Sequence, residues 1–168
     1  MPLVGAEAHN RSMDLNIRYQ IAGISQPNET ACWATSLAML VNYLEGTQYT
    51  PESLAQESGY SVEACNGWDA ITTIASAHGL NSEPSMSRTL EGWADLLSSA
   101  GPLWLVVDGV PSHAVVLNGV YGDGTDEATK FVVTDPWNGE YERTIAELDS
   151  DFGGAAGAVG DNFQILHR

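Results

Sequence analysis

The sequence predicts an α+β fold in which a helical first half packs against a sheet of antiparallel strands. Three observations lead there. Apolar residues recur at helical spacing in several segments ahead of Gly101-Pro102. Beyond that pair, short runs rich in β-branched residues alternate with turn-forming clusters. The chain has 168 residues, 43% of them hydrophobic, enough for one domain with a buried core. A single domain over residues 1–168 is expected, its two halves facing each other across a cleft.

Residues 1–18 show no clear period and read as a loose lead, and Ile17–Ile24 can hold a short strand. Thr30 is the expected N-cap of a helix running to about Leu44. Its apolar face carries Trp33, Leu37, Leu40, Val41 and Leu44, widened by Ala34, Ala38 and Met39, so this helix belongs in the centre of the molecule. Thr50-Pro51-Glu52 opens a second, shorter helix, because proline suits a first turn. A third starts within Asn66-Gly67-Trp68-Asp69 and ends at Gly79, with Trp68, Ile71, Ile74 or Ala75, and His78 on its stripe. Ser87 caps a fourth through Leu90, Trp93 and Leu97, which Gly101-Pro102 stops.

The second half reads as strands. Leu103–Val107 is a continuous apolar run of the kind found in buried strands. A turn at Asp108-Gly109-Val110-Pro111 leads into a strand from His113 to Val120, and a polar loop over 122–127 separates it from a strand at Phe131–Thr134. Asp135-Pro136-Trp137-Asn138-Gly139 forms a turn, and Tyr141–Arg143 starts the next strand. Thr144 and Glu147 fit a capping box for a small helix. Gly153–Gly160 is expected to be a flexible loop, and Asn162–Leu166 a closing strand.

The formal net charge of −16, from 22 acidic residues against 6 Lys and Arg, would repel nucleic-acid phosphates and an anionic membrane surface. Its ordinary role is solubility. No apolar run approaches the roughly 18–20 residues of a membrane span, so no membrane insertion is expected. Met1–Glu7 lacks the basic and apolar parts of a secretory signal. The expectation is a soluble protein made in the cytosol, one exported without such a signal, or a piece of something larger. With only Cys32 and Cys65 present, no disulfide framework and no Cys-x-x-Cys metal or redox motif is indicated. Asp123, Asp126 and Glu127 lack the spacing of a calcium loop and read as a solvated hairpin.

The informative cluster is Ser25-Gln26-Pro27-Asn28-Glu29-Thr30-Ala31-Cys32-Trp33, a Gln six residues before a Cys that opens an apolar helix. The positive end of a helix dipole favours the thiolate, which is the nucleophilic form of cysteine. A glutamine ahead of that turn can aim its side-chain amide at the oxygen that becomes negative when a carbonyl is attacked. Such a site needs a histidine base and a group to orient it. His9 lies in the loose lead, His167 beside the end, and His78 on an apolar stripe where a packed, hydrogen-bonded role is expected. His113 starts a buried strand just after a turn, where a side chain is fixed yet open to a cleft. If the three central strands are antiparallel neighbours, the start of His113's strand lies beside the end of the next, which places Asp135 next to His113.

These motifs together resemble the papain-like cysteine peptidases, in particular their compact bacterial branch, which includes secreted effector proteases and leader-removing peptidases of bacteriocin exporters. The resemblance rests on the Gln26-to-Cys32 spacing, Cys32-Trp33, Gly101-Pro102-Leu103, His113-Ala114-Val115-Val116 and Asp135-Pro136-Trp137-Asn138-Gly139, over about Ser25 to Arg143. It implies a papain-like fold and hydrolysis of a protein or peptide amide through a Cys32–His113–Asp135 triad. It further implies an acyl-enzyme intermediate and no metal or cofactor. Gln26 and the Cys32 N–H would hold the oxyanion, and Trp137 would shield the His–Asp bond from water. A secreted effector or toxin role comes with the same resemblance, and a cognate inhibitor is not identified by the sequence. Deamidase, transglutaminase-like or peptidoglycan amidase chemistry shares the acyl-enzyme step, and an inactive binding module is a lesser alternative. Cys65 is expected to be structural, and Gly153-Gly154 a loop rather than a double-glycine processing site.

Overall fold

A computed structural model describes residues 14–63, 67–109 and 112–168. The first helix, α1 (Cys32–Glu45), is preceded by a short strand, β1 (Leu15–Arg18). Nine consecutive residues of α1, Trp33–Val41, are buried, which explains why its apolar surface runs almost all the way round. Gly46 ends the helix in the left-handed conformation, donating its N–H to the Asn42 carbonyl. The next helix, α2 (Pro51–Glu57), begins with a full capping box in which Thr50 and Ser53 satisfy each other's backbone N–H groups. Helix α3 (Gly67–Ala77) follows, and its buried residues Ala70, Ile71, Ile74 and Ala75 turn toward α1.

The strands β2 (Asn81–Glu83), β3 (Leu103–Asp108), β4 (Ser112–Gly122), β5 (Lys130–Asp135), β6 (Gly139–Arg143) and β7 (Ile165–His167) complete the sheet. Their order is β2-β7-β3-β4-β5-β6, with β1 added beside β4, and every pairing is antiparallel. Helix α4 (Leu90–Ala100) precedes β3, while α5 (Ile145–Gly154) and α6 (Ala156–Val159) follow β6.

Alternation along β3 divides the core. Trp104 and Val106 join Ala114, Val116 and the apolar faces of α1 and α3. Leu103, Leu105 and Val107 point the other way, into a second cluster with Trp93 and Leu97 of α4 and Leu148 and Phe152 of α5. The central strands are thus covered on both faces, the physical reason that they read as continuous apolar runs. Ser36 on α1 accepts a hydrogen bond from the buried Trp104 indole at 2.8 Å, which ties the central helix to β3. Among the described residues, no helix is long and apolar enough to cross a membrane.

Several elements differ from expectation. Leu15–Arg18 is not loose: it pairs with Gly119–Gly122 of β4, and the strand ends before Tyr19 instead of reaching Ile24. The N-cap of α1 is Ala31, not Thr30, and no side chain caps it. Thr89, not Ser87, caps α4 by accepting the Gly92 N–H. The three-residue β2 is paired with β7 and carries no periodicity of its own. Residues 153–160 are largely helical: Gly153 and Gly154 finish α5, and α6 follows with Ala155 and Val159 buried. Gly154 is there for closeness, since a Cβ at that position would lie 3.0 Å from the Asp108 carboxyl carbon. His9 and Cys65 lie outside the described residues.

Candidate active site

Cys32 is the first residue of α1 and is partly buried. Its backbone N–H belongs to the first turn, where no intrahelical carbonyl is available to it. The approach to Cys32 is ordered by Asn28. That residue's side-chain Oδ1 accepts from the Thr30 N–H at 3.0 Å and the Thr30 hydroxyl at 2.9 Å. Gln26 sits two residues earlier and donates its Nε2 to the Asn28 carbonyl at 2.7 Å. Its Oε1 is buried without a protein partner among the described residues.

His113 stands near the start of β4, opposite Val107 of β3. Asp135 ends β5, where the pairing of Thr134 with Val116 brings it alongside the first residues of β4. The His113 Nε2 and Asp135 Oδ1 are 2.7 Å apart. The carboxylate side chain is 2% exposed and the imidazole 20%, so the acid is buried and the ring faces the opening. Cys32 also acts on the ring, as one of the influences that raise its proton affinity. With Nε2 engaged by Asp135, Nδ1 is the nitrogen left for the sulfur.

Burial alone would push the His113 imidazole down. The hydrogen bonds and charges of Asp135 and Cys32 outweigh it and hold the imidazole up at about 9. Burial likewise opposes charge on Asp135. The hydrogen bond from His113, the Trp137 N–H, the His113 charge and the Asn138 N–H together keep its carboxyl below the usual carboxylate range. The two N–H donors reach Oδ1 at 2.7 and 3.2 Å, a local consequence of the turn that follows β5.

Tyr141 was not singled out as a site residue by the sequence. Gly139 is the cross-strand partner of Asp135 and has no side chain, so Tyr141, two residues further along the same face of β6, can reach the acid. Its hydroxyl donates to Asp135 Oδ2 at 3.3 Å, and Asn138 Nδ2 donates to the same oxygen at 3.4 Å. Burial, then the Asp135 charge, pushes the Tyr141 phenol up. Arg143 lies over the Tyr141 ring at 4.5 Å and is held by Asp151 of α5 at 2.9 Å. A strand with alternating Tyr141 and Arg143 was legible, but their link to the acid depends on the register between β5 and β6.

Gln26, His113, Asp135, Trp137 and Tyr141 line a cleft of about 530 Å³. Trp137 is 58% exposed, and its backbone N–H, rather than its ring, bonds to Asp135. The other described histidines stand apart. His78 is wedged between Glu45 and Glu57 at 2.8 and 3.1 Å, the packed and bonded role expected of it. His167 meets Glu83 at 3.1 Å. Asp123 folds back on its own loop, accepting from the Thr125 N–H and hydroxyl.

The sequence profile of a family described as papain-like cysteine protease AvrRpt2 matches residues 9–151. A search of curated proteins returned no match. Among solved structures, the chain is similar to a C39-like peptidase from Bacillus anthracis, with a TM-score of 0.63 at 13% identity over 92% of this chain and 98% of that one. A double-glycine-motif protease from an AMS/PCAT transporter, solved with its leader peptide, gives a TM-score of 0.58 at 21% identity, covering 92% of this chain and 96% of the other. The peptidase domain of Streptococcus ComA, a bifunctional ABC transporter involved in quorum sensing, gives 0.57 at 17% identity, with coverage of 89% and 96%. These likenesses show a shared fold.

Proposed function

The chain belongs to the papain-like cysteine protease family whose profile is AvrRpt2, and on that premise we propose that it cuts a peptide bond in a protein or peptide with Cys32, His113 and Asp135 as its triad. The observation that carries the reading is an imidazole bonded to a buried carboxylate at 2.7 Å, its proton affinity raised by that carboxylate and by a cysteine at a helix start. The leader peptide bound to one structural neighbour supports a peptide as the substrate class.

In this mechanism His113 and Cys32 form an imidazolium–thiolate pair, which Asp135 supports by its charge. The sulfur attacks the scissile carbonyl carbon, and the C=O electrons move onto oxygen. The Cys32 N–H and the Gln26 hydrogen not given to Asn28 stabilise that oxyanion. Collapse of the intermediate breaks the C–N bond as the Nδ1 proton passes to the leaving amine, leaving a thioester on Cys32. His113 then takes a proton from water, whose oxygen attacks the thioester, and the acid product leaves as Cys32 and His113 return to their starting state. None of these steps uses a group beyond the chain, the substrate and water.

Incubating the protein with a cell lysate and mapping peptides by mass spectrometry tests the reading. New termini that vanish with Cys32→Ala are expected. Shifts of about +1 Da at Gln or Asn without new termini would assign deamidation instead, and neither change would leave a binding module.

A further inference from the structure

We infer that Asn28 is a positioning residue that turns the Gln26 amide so that its nitrogen, not its oxygen, faces the reacting carbonyl. The inference rests on Gln26 being the oxyanion donor of the proposed reaction. An amide side chain has two ends of nearly equal shape and opposite polarity, and only the N–H end can stabilise a developing oxyanion. With the ends reversed, a carbonyl oxygen would face the negative oxygen and oppose the reaction.

The choice between the two orientations is made locally. The Asn28 carbonyl is an acceptor, and Gln26 Nε2 lies 2.7 Å from it. One hydrogen of that nitrogen is thereby consumed, which fixes the plane of the amide and leaves the second hydrogen free. Reversing the amide would set Oε1 against the Asn28 carbonyl, two acceptors at contact. Oε1 is buried with no protein partner among the described residues, so the hydrogen bond to Asn28 is what holds the orientation.

The Asn28 carbonyl is itself aimed by the Asn28 side chain. Oδ1 accepts from the Thr30 N–H at 3.0 Å and the Thr30 hydroxyl at 2.9 Å, closing a local turn that restricts the backbone between Asn28 and Thr30. The Ala31 N–H, just before Cys32, also reaches the Asn28 carbonyl, at 3.4 Å. One residue therefore relates the orientation of Gln26 to the start of α1. Asn28 does not touch the reacting atoms in this arrangement. It acts through Gln26.

The test measures kcat and KM for Asn28→Ala, Asn28→Ser, Gln26→Ala and the double variant Gln26→Ala/Asn28→Ala. The substrate is a fluorogenic peptide spanning a cut site mapped in the lysate, and melting temperatures are read alongside. Asn28→Ala is expected to lower kcat about tenfold with little change in KM, because misdirecting the donor costs part of what losing it costs. Serine can accept the same N–H more weakly without adding a charge beside Cys32, so Asn28→Ser should recover part of the loss. The double variant should be no slower than Gln26→Ala alone. An unchanged kcat for Asn28→Ala, or the same tenfold loss again in the Gln26→Ala background, overturns the positioning role even if both variants melt earlier. If Gln26→Ala itself leaves kcat intact, the oxyanion assignment fails. If the lysate yields no cut site, the peptidase reading fails first.

Discussion

The main-chain N–H of Gln26 donates to the carbonyl of Pro136 at 2.9 Å, so the segment leading to Cys32 is bonded directly to the turn that carries Asp135. These residues are 110 positions apart in the sequence. One bond thus relates the proposed oxyanion donor to the proposed acid without using either side chain. The arrangement leaves the Gln26 side chain free to be substituted while its backbone anchor remains.

Gln26→Ala should therefore report on catalysis more than on folding. A loss of roughly 10²–10³ in kcat is expected, the usual cost of removing one oxyanion donor. KM should change far less, because the interaction strengthens only in the transition state. Steady-state kinetics on the mapped peptide check this, and an effect confined to KM would make Gln26 a substrate-binding residue.

Cys32 should be the reactive thiol. At about pH 6, limiting iodoacetamide is expected to label Cys32 well before Cys65, because a thiolate paired with protonated His113 reacts where an ordinary thiol does not. Peptide mapping reads the order of labelling. Cys32→Ala should abolish turnover and leave the circular dichroism spectrum unchanged, and equal labelling of the two cysteines would count against the ion pair.

The pH dependence follows from His113. Its imidazole is held up at about 9, so the protonated ring of the proposed pair persists through neutral pH and is lost as pH rises through about 9. The alkaline limb of kcat/KM should fall in that region. Asp135→Asn keeps an oxygen that accepts the ring N–H but removes the negative charge. The ring's proton is then held less tightly, and the alkaline limb should move to lower pH, with activity reduced but above that of Asp135→Ala. A limb that stays in place would mean that Asp135 does not set the proton affinity of His113.

Gly119→Ala tests the junction of β1 with β4. A Cβ at Gly119 would lie 2.7 Å from the Ile17 carbonyl oxygen and 3.4 Å from the Val132 Cβ, so strand β1 must shift or part. A loss of about 1–3 kcal/mol in urea unfolding is expected, as for overpacked sites generally. Gly157→Ala in α6 is the contrast, since nothing lies within 4 Å of the added carbon. It should be neutral or stabilising by about 0.4–1 kcal/mol through the unfolded chain.

What the sequence by itself determined was what short-range geometry controls. The capping box at Thr144 closes over three residues, the proline after Thr50 favours a helix's first turn, and the turn after Asp135 closes over two or three residues, so the groups involved are neighbours in any conformation that forms them. The buried central strands announced themselves through apolar runs, and the pairing of His113 with Asp135 followed from treating β4 and β5 as antiparallel neighbours. The tertiary structure decided what local pattern leaves equal. Ser87 is as fit to cap a helix as Thr89, which caps α4, and Thr30 is a better cap than Ala31, which precedes α1, so local cap preference decides neither start. Strand β1 exists because β4 offers it an edge about a hundred residues away, and β2 because β7 does. Residues 153–160 coil into helix because Gly154 lets α5 close on Asp108 and because Ala155 and Val159 are buried, although their glycines read as a loop. The contact of Tyr141 with Asp135 depends on a strand register, and the tie from Gln26 to Pro136 on a fold that returns the chain across more than a hundred residues. Such contacts carry no signature in either residue's neighbourhood, because the free energy that forms them comes from packing elsewhere in the molecule.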